Sequence, residues 1–149
     1  MFDSIIRDAA FLYDVPETWI RAFIQVESNY DPNAFNPNDP GGAWGLMQII
    51  ASTAYGYGVT DLSTLFDPAV NIDVGTRLLR DLRQSYGASL ESVASAYNSG
   101  SPVLWQTDPG VAEYVNKIKA AVGVAVVEGV GVLAFGVFVW LVLQYRKRG

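Results

Sequence analysis

The stretch VPETWIRAFIQVESNY, residues 15–30, decides the helical character of this chain. Pro16 stands where a helix begins, because a proline at the first helical position loses no hydrogen bond. Ile20, Phe23 and Ile24 recur at helical spacing and form one apolar face. The opposite face is polar and consists of Glu17, Arg21, Gln25 and Ser28. The stretch therefore predicts an amphipathic helix that packs on a core.

Helical signals continue on both sides of this stretch. A first helix is predicted to stop near Asp14, before the Val15-Pro16 pair, because a proline disfavours helix in the residue before it. Its apolar positions are Ile5, Ile6, Ala9, Leu12 and Tyr13. Towards the C-terminus, Asp67-Pro68 and Asp108-Pro109 each combine a cap with a proline at the first helical position, and Ser89 caps a shorter helix closed by Ser99-Gly100. The helix after Asp67 is predicted over residues 68–86, with an apolar stripe of Leu78, Leu79, Leu82 and Tyr86.

Strand signals are weak throughout the sequence. Residues 29–42 are rich in Pro, Asn and Asp and are predicted to form a loop. No segment alternates convincingly between apolar and polar residues. The fold class predicted from residues 1–119 is therefore all-α, one compact helical domain.

Composition excludes several function classes. Cysteine and histidine are both absent, which removes disulfides, thiol nucleophiles, Ser-His-Asp triads and the usual zinc sites, so no metal or other cofactor is expected. Of the 15 acidic and 10 basic residues, 14 and seven lie before position 120, which gives that part a charge of −7. Such a balance argues against nucleic acid as a partner.

The C-terminal part has the composition of a membrane span. Residues 120–143 carry one charge, Glu128, and would cover about 36 Å as a helix against a hydrocarbon core of about 30 Å. Trp140 and Tyr145 match an interfacial aromatic belt, and the basic tail at residues 146–149 marks the cytoplasmic side. We expect a single transmembrane helix at residues 120–145, with the lipid bilayer as its partner. A helix buried in a protein shell is the alternative. The N-terminus has neither the basic start nor the uniform apolar run of a signal peptide.

One carboxylate falls where an apolar side chain is expected. Glu27 lies seven, four and three residues after Ile20, Phe23 and Ile24, so it shares their face. Burial and the negative end of the helix both favour the protonated form and should raise its pKa. A carboxylic acid that stays protonated near neutral pH suits glycosidic-bond cleavage. Periodicity alone fits equally well a Glu that turns to solvent at a fraying helix end.

Two further stretches could build a binding cleft. Tyr97 ends the apolar face of the helix that begins at Ser89 and is followed by Asn98, although an ordinary core aromatic gives the same pattern. Residues 41–49, GGAWGLMQI, combine flexible backbone with an aromatic and an amide, as a sugar-binding wall needs. Alone, that segment is only a glycine-rich loop.

Together these pieces resemble the soluble lytic transglycosylase domain, which is related to goose-type lysozyme. The resemblance covers about residues 1–119 and rests on ESNYDPNA at 27–34, GLMQI at 45–49, AYNSG at 96–100 and YVNKI at 114–118. It implies a lysozyme-like helical fold, with Glu27 as the sole catalytic acid and base and Tyr114 near it. The residues that it places along the sugar cleft are Ser28, Met47, Gln48, Tyr97 and Asn98. The family often has an acidic residue four positions before Tyr114, where this chain has Gly110.

The resemblance implies cleavage of the β-1,4 bond between N-acetylmuramic acid and N-acetylglucosamine in peptidoglycan, with 1,6-anhydromuramoyl ends as products. If Asp31 or Asp39 positions a water instead, the same site is a hydrolytic lysozyme. Two rival classes are a non-catalytic, anchored peptidoglycan-binding protein and a membrane-lesion protein of holin type. Either rival activity should survive the Glu27→Gln substitution.

A catalytic domain with a membrane span and no signal peptide is similar to virion enzymes of membrane-containing bacteriophages. By this analogy we expect a single-pass protein of the virion membrane that opens the host wall locally during entry, with virion proteins as possible partners. The host envelope is the other location, with the catalytic domain facing the periplasm.

Overall fold

The structure, a computed structural model, describes residues 2–39 and 41–129. Within them the chain forms six α-helices. Their bounds are α1 Asp3–Tyr13, α2 Glu17–Ser28, α3 Ala51–Gly56, α4 Pro68–Tyr86, α5 Leu90–Ser99 and α6 Pro109–Gly129. Two 3-10 helices, Leu62–Phe66 and Leu104–Gln106, precede α4 and α6. The described part of the chain is therefore mostly helical, in line with the helices that the sequence predicted.

Helix starts follow the capping signals. Asp67 accepts hydrogen bonds from the backbone N–H groups of Ala69 and Val70, and Pro68 occupies the first position of α4. Ser89 accepts from the N–H of Ser92 and so caps α5. The prediction for Pro16 was wrong by one residue: α2 begins at Glu17, and Pro16 is its extended N-cap.

A small antiparallel sheet lies between α2 and α3. Its first strand falls within residues 29–42, where a loop was predicted. Its strands are β1 Phe35–Asn36, β2 Ala43–Trp44 and β3 Ile49–Ile50, in the order β1-β2-β3. Phe35 pairs with Trp44, and Trp44 with Ile49. The all-α prediction therefore holds only in the coarser sense of a mostly helical fold. Two-residue strands are too short to show a period in the sequence.

The core gathers the apolar faces of α1, α2, α4, α5 and α6. Phe23, Ile20 and Ile24 of α2 are fully buried, as the periodicity predicted, and Leu79 of α4 and Ile118 of α6 meet them there. Two predicted core positions were wrong, since Leu12 is 68% exposed and Tyr86 is 43% exposed. Both lie in the last turn of their helix, where the helix extends beyond the core and its apolar face is left exposed to solvent.

The predicted membrane span is only partly described. Helix α6 enters it and is described to Gly129, whereas residues 130–145 of the span and the basic tail at 146–149 lie outside the described residues. Among the helices that the structure describes, none combines the length and the hydropathy needed to cross a bilayer.

Candidate active site

The ends of three helices and one tight loop meet around Glu27. Ser28, the last residue of α2, donates from Oγ to the backbone oxygen of Leu46 at 2.8 Å. Tyr97 of α5 donates to the backbone oxygen of Met47 at 2.6 Å. Tyr114 of α6 donates to Glu27 Oε1. These bonds join residues far apart in sequence and bring the four predicted motifs to one place.

Glu27 has the electrostatics of a proton donor at neutral pH. The side chain is partly buried, and desolvation is the main reason why its pKa rises from 4.5 to about 7. The hydrogen bond from Tyr114 opposes this rise, whereas the negative charge of Asp39 adds to it. The direction predicted from the position of Glu27 on an apolar face is confirmed. Near pH 7 the group is present in both forms, as a residue needs that gives a proton and later takes one back.

Two tyrosine hydroxyls flank this carboxyl and stay protonated. Burial raises the pKa of Tyr97 and of Tyr114 well above the usual value, and the charge of Glu27 adds to both shifts. The ring of Tyr97 also packs on Phe23, with ring centroids 4.7 Å apart. Tyr114 reaches Glu27 although Gly110 replaces the acidic residue common in the family. Both hydroxyls can therefore donate hydrogen bonds throughout the neutral range.

The loop at residues 45–48 belongs to the segment predicted to form a sugar-binding wall, and its backbone oxygens accept hydrogen bonds from Ser28 and Tyr97. Gly45 has φ +69°, and a Cβ there would lie 2.3 Å from the backbone oxygen of Leu65, so a side chain is excluded. Gln48 has φ +45° and donates from Nε2 to the backbone oxygens of Ala34 at 3.2 Å and Gly45 at 2.9 Å. The amide of Gln48 thus holds the loop against the start of the sheet.

Met47 lies behind this wall rather than on it. Its side chain is fully buried and packs against α4, where a Cβ on Gly75 would lie 2.3 Å from Met47 Sδ. The backbone oxygen of Met47 is the group that meets Tyr97. Asn98, by contrast, is exposed at the end of α5. The substrate-binding roles assigned to Ser28, Met47, Gln48, Tyr97, Asn98 and Tyr114 stay predictions.

Sequence reasoning missed Asn71, a fully buried amide of α4. Its Oδ1 accepts from the N–H of Met47 at 2.8 Å, and its Nδ2 donates to the backbone oxygens of Trp44 and Leu65, each at 2.8 Å. One side chain thereby fixes the wall on both sides of Gly45. Its position, four and eight residues before Gly75 and Leu79, places it on the buried face of α4. The reasoning that singled out Glu27 could therefore have found it.

The two acids considered for a hydrolytic site differ in their surroundings. Asp31 is exposed and accepts from the N–H of Asn33 at 2.9 Å, which occupies it in a local turn. Asp39 is partly buried, is held by Asn36 Nδ2 at 2.8 Å and interacts electrostatically with Glu27. Of the two acids, Asp39 is therefore the one whose negative charge raises the pKa of Glu27. No cluster of acidic residues within the described ranges could hold a metal ion.

The chain has relatives among known proteins. The family model of the transglycosylase SLT domain matches residues 4–113. The chain is similar to membrane-bound lytic murein transglycosylase C of Pectobacterium atrosepticum and of Photorhabdus laumondii, with 36% identity over 112 residues in each case. Each match covers 65% of this chain and 30% of the relative, so the chain spans about a third of the length of these relatives.

A solved structure shows the same fold. An inactive mutant of the lytic transglycosylase Slt from Pseudomonas aeruginosa superposes with a TM-score of 0.69 and 20% identity, covering 80% of this chain and 23% of that one. This chain belongs to the transglycosylase SLT domain family.

Proposed function

We propose that this chain is a peptidoglycan lytic transglycosylase that uses Glu27 as its single acid and base. The observation that carries the proposal is the state of Glu27: a partly buried carboxyl with a pKa of about 7, bonded to Tyr114 where α2, α5 and α6 meet the 45–48 loop. Membership of the family and the names of the relatives support the same activity.

The first step of the proposed reaction is protonation of the bridging oxygen. Glu27 transfers its proton to the oxygen that links N-acetylmuramic acid to N-acetylglucosamine, and the bond from C1 to this oxygen breaks. The carbonyl oxygen of the muramic acid's own N-acetyl group attacks C1 and stabilises the positive charge. Glu27 is left as a carboxylate, and the N-acetylglucosamine end departs with the proton.

The second step returns the proton. The Glu27 carboxylate takes the proton from the 6-hydroxyl of the muramic acid, O6 bonds to C1, and the N-acetyl oxygen leaves C1. The product is a 1,6-anhydro ring, and no water is consumed. One group can serve both steps because a pKa of about 7 leaves it free to act as acid and as base near neutral pH.

A hydrolytic lysozyme is the second candidate, and Asp39 is the observation that favours it. A carboxylate that interacts with the catalytic acid could orient a water towards C1, as the second carboxylate of an inverting glycosidase does. The product would then carry a reducing end. The two candidates share Glu27 and differ only in what attacks C1.

Mass spectrometry of the fragments released from purified peptidoglycan separates the two candidates. The transglycosylase proposal expects anhydromuramoyl ends from the full chain and from the Asp39→Asn and Asp31→Asn variants. Reducing ends that Asp39→Asn abolishes and Asp31→Asn preserves would favour the lysozyme. Bound glycan without release of fragments would favour the anchored binding protein instead.

We further propose the division into a catalytic domain at residues 1–119, a membrane anchor at 120–145 and a basic tail at 146–149. The uncharged run after Glu128 and the Arg146, Lys147 and Arg148 cluster support it. The relatives' names describe membrane-bound enzymes. Flotation of the full chain with lipid vesicles tests the anchor, since a chain without one stays at the bottom of the gradient.

The biological setting we propose is a virion membrane, from which the enzyme opens the host wall locally during phage entry. The alternative is the host envelope, with the catalytic domain in the periplasm. The support is the sequence organisation, a catalytic domain followed by an apolar run and a basic tail, which is similar to that of virion enzymes of membrane-containing phages. Antibody detection of the chain in purified particles and in host membranes would distinguish the two locations.

A further inference from the structure

The helical domain has two opposite ends, defined by the contacts between helix termini. One end, called the cleft end after the sugar cleft that the family resemblance predicts there, holds Glu27 at the end of α2, Tyr97 at the end of α5 and Tyr114 near the start of α6. The distal end gathers the ends of α1 and α4 and the starts of α2 and α5. There Arg83, in the last turn of α4, donates to the backbone oxygen of Asp14, which ends α1.

Two more contacts complete the distal end. The guanidinium of Arg83 lies 5.6 Å from the ring of Trp19, in the first turn of α2. Lys119 of α6 pairs with Glu91, in the first turn of α5, at 2.9 Å. Helix α6 therefore starts at the cleft end and reaches the distal end by residue 119. Trp19 precedes Glu27 by eight residues, which corresponds to about 12 Å along α2.

The distal end exposes apolar side chains. Phe11 is 91% exposed and Leu12 is 68% exposed, both in the last turn of α1, and Tyr86 ends α4. Phenylalanine and leucine exposed side by side are what an interfacial membrane contact uses. Burial of these groups in the acyl boundary would remove them from water.

A small cavity lined by two guanidiniums also lies at the distal end. It has a volume of about 180 Å³ and is lined by Tyr13, Asp14, Arg80, Arg83, Gln84 and Ala88. Arg83 Nε is buried and finds no hydrogen-bond acceptor within the described part of the chain. Both guanidiniums already have partners, since Arg80 pairs with Asp81 at 2.7 Å and Arg83 donates to the backbone oxygen of Asp14. The cavity is therefore a charge-paired polar rim next to the last turn of α1.

We propose that the distal end is a membrane-contacting surface, on which Phe11 and Leu12 enter the lipid interface. The occupant is the surface of a bilayer. The path of the chain supports this choice, because α6 reaches this end at Lys119 and the proposed anchor at residues 120–145 begins directly after it. The inference rests on the membrane attachment proposed above. It adds the orientation of the domain, with the Glu27 cleft turned away from the bilayer towards the wall.

Depth measurement on the full chain tests this orientation. The chain has no cysteine, so Phe11→Cys gives a single labelling site for an environment-sensitive fluorophore. Val103→Cys is the matched control, since Val103 is a 57% exposed apolar residue that follows the end of α5. Both variants are mixed with vesicles of phosphatidylethanolamine and phosphatidylglycerol, with and without nitroxide-labelled lipid.

The expected result is a blue shift and nitroxide quenching of the label at position 11, with unchanged emission at position 103. A label at position 11 that stays in water on vesicle-bound protein overturns the orientation and leaves the anchor intact. Protein that does not float with the vesicles overturns the anchor and the orientation together. Release of peptidoglycan fragments, measured on the same preparations, reports the enzyme activity separately.

Discussion

Replacing Glu27 by Gln tests the burial of this carboxyl through the stability of the fold, without any substrate. Its pKa is about 7 in the folded chain against 4.5 for the free group, a difference of about 2.5 units. At about 1.4 kcal/mol per unit, ionisation costs the folded state about 3 kcal/mol. The substitution removes this cost, because the amide that replaces the carboxyl carries no charge and can still accept the hydrogen bond from Tyr114.

The sign of the effect depends on pH. A folded-state pKa above the unfolded value means that the folded chain holds the proton more tightly, so stability falls as pH rises from 4.5 to about 7 and levels off above that range. We expect Glu27→Gln to be more stable than the unmodified chain by about 2–3 kcal/mol at pH 8 and equal to it near pH 4.

Urea unfolding of the full chain at the two pH values measures this difference. Glu113→Gln is the matched control, because Glu113 is exposed and its pKa is lowered by Lys117, so its loss brings no gain at pH 8. A Glu27→Gln variant that is less stable than the unmodified chain at pH 8, or whose advantage is the same at pH 4, would refute the argument from burial.

Two further substitutions test the surroundings of Glu27. Tyr114→Phe removes a hydrogen bond that lowers the pKa of Glu27. The fall of kcat/KM at alkaline pH should therefore move to higher pH by about one unit. If the fall stays at the same pH, this hydrogen bond does not set the pKa of Glu27. Gly75→Ala pushes a methyl group against Met47, so thermal melts should show a loss of about 1–3 kcal/mol, and kcat should drop as the partner of Tyr97 moves. Gly56→Ala meets nothing within 4 Å and should leave both quantities unchanged; equal losses in the two alanine variants would contradict the packing argument.

Helix positions were predictable because their signals are local. Asp67 and Ser89 bind N–H groups two or three residues away, and the prolines after the caps fix the first turn. The apolar face of α2 was predictable from the spacing of its own residues. The same spacing showed that Glu27 is a carboxylate on that apolar face. These features depend on neighbours along the chain, so one sequence suffices to find them.

The contacts that assemble the site were not predictable in this way. Tyr114 and Glu27 are 87 residues apart, and Asn71 reaches Met47 across 24 residues. The resemblance placed Tyr114 near Glu27 but said nothing of Asn71. The rise in the pKa of Glu27 was predicted from burial and the helix end, whereas its second contributor is Asp39, brought close by the small sheet. Such contacts follow from tertiary packing, which a local pattern does not contain.

The rate at which Glu27→Gln releases fragments from purified peptidoglycan tests the central claim most directly. Positioned acid and base catalysis contributes about 10²- to 10⁴-fold, so the variant should lose at least about 100-fold in rate while urea unfolding shows it folded. A folded Glu27→Gln variant that releases the same fragments at an undiminished rate would contradict the assignment of Glu27 as the catalytic acid and base.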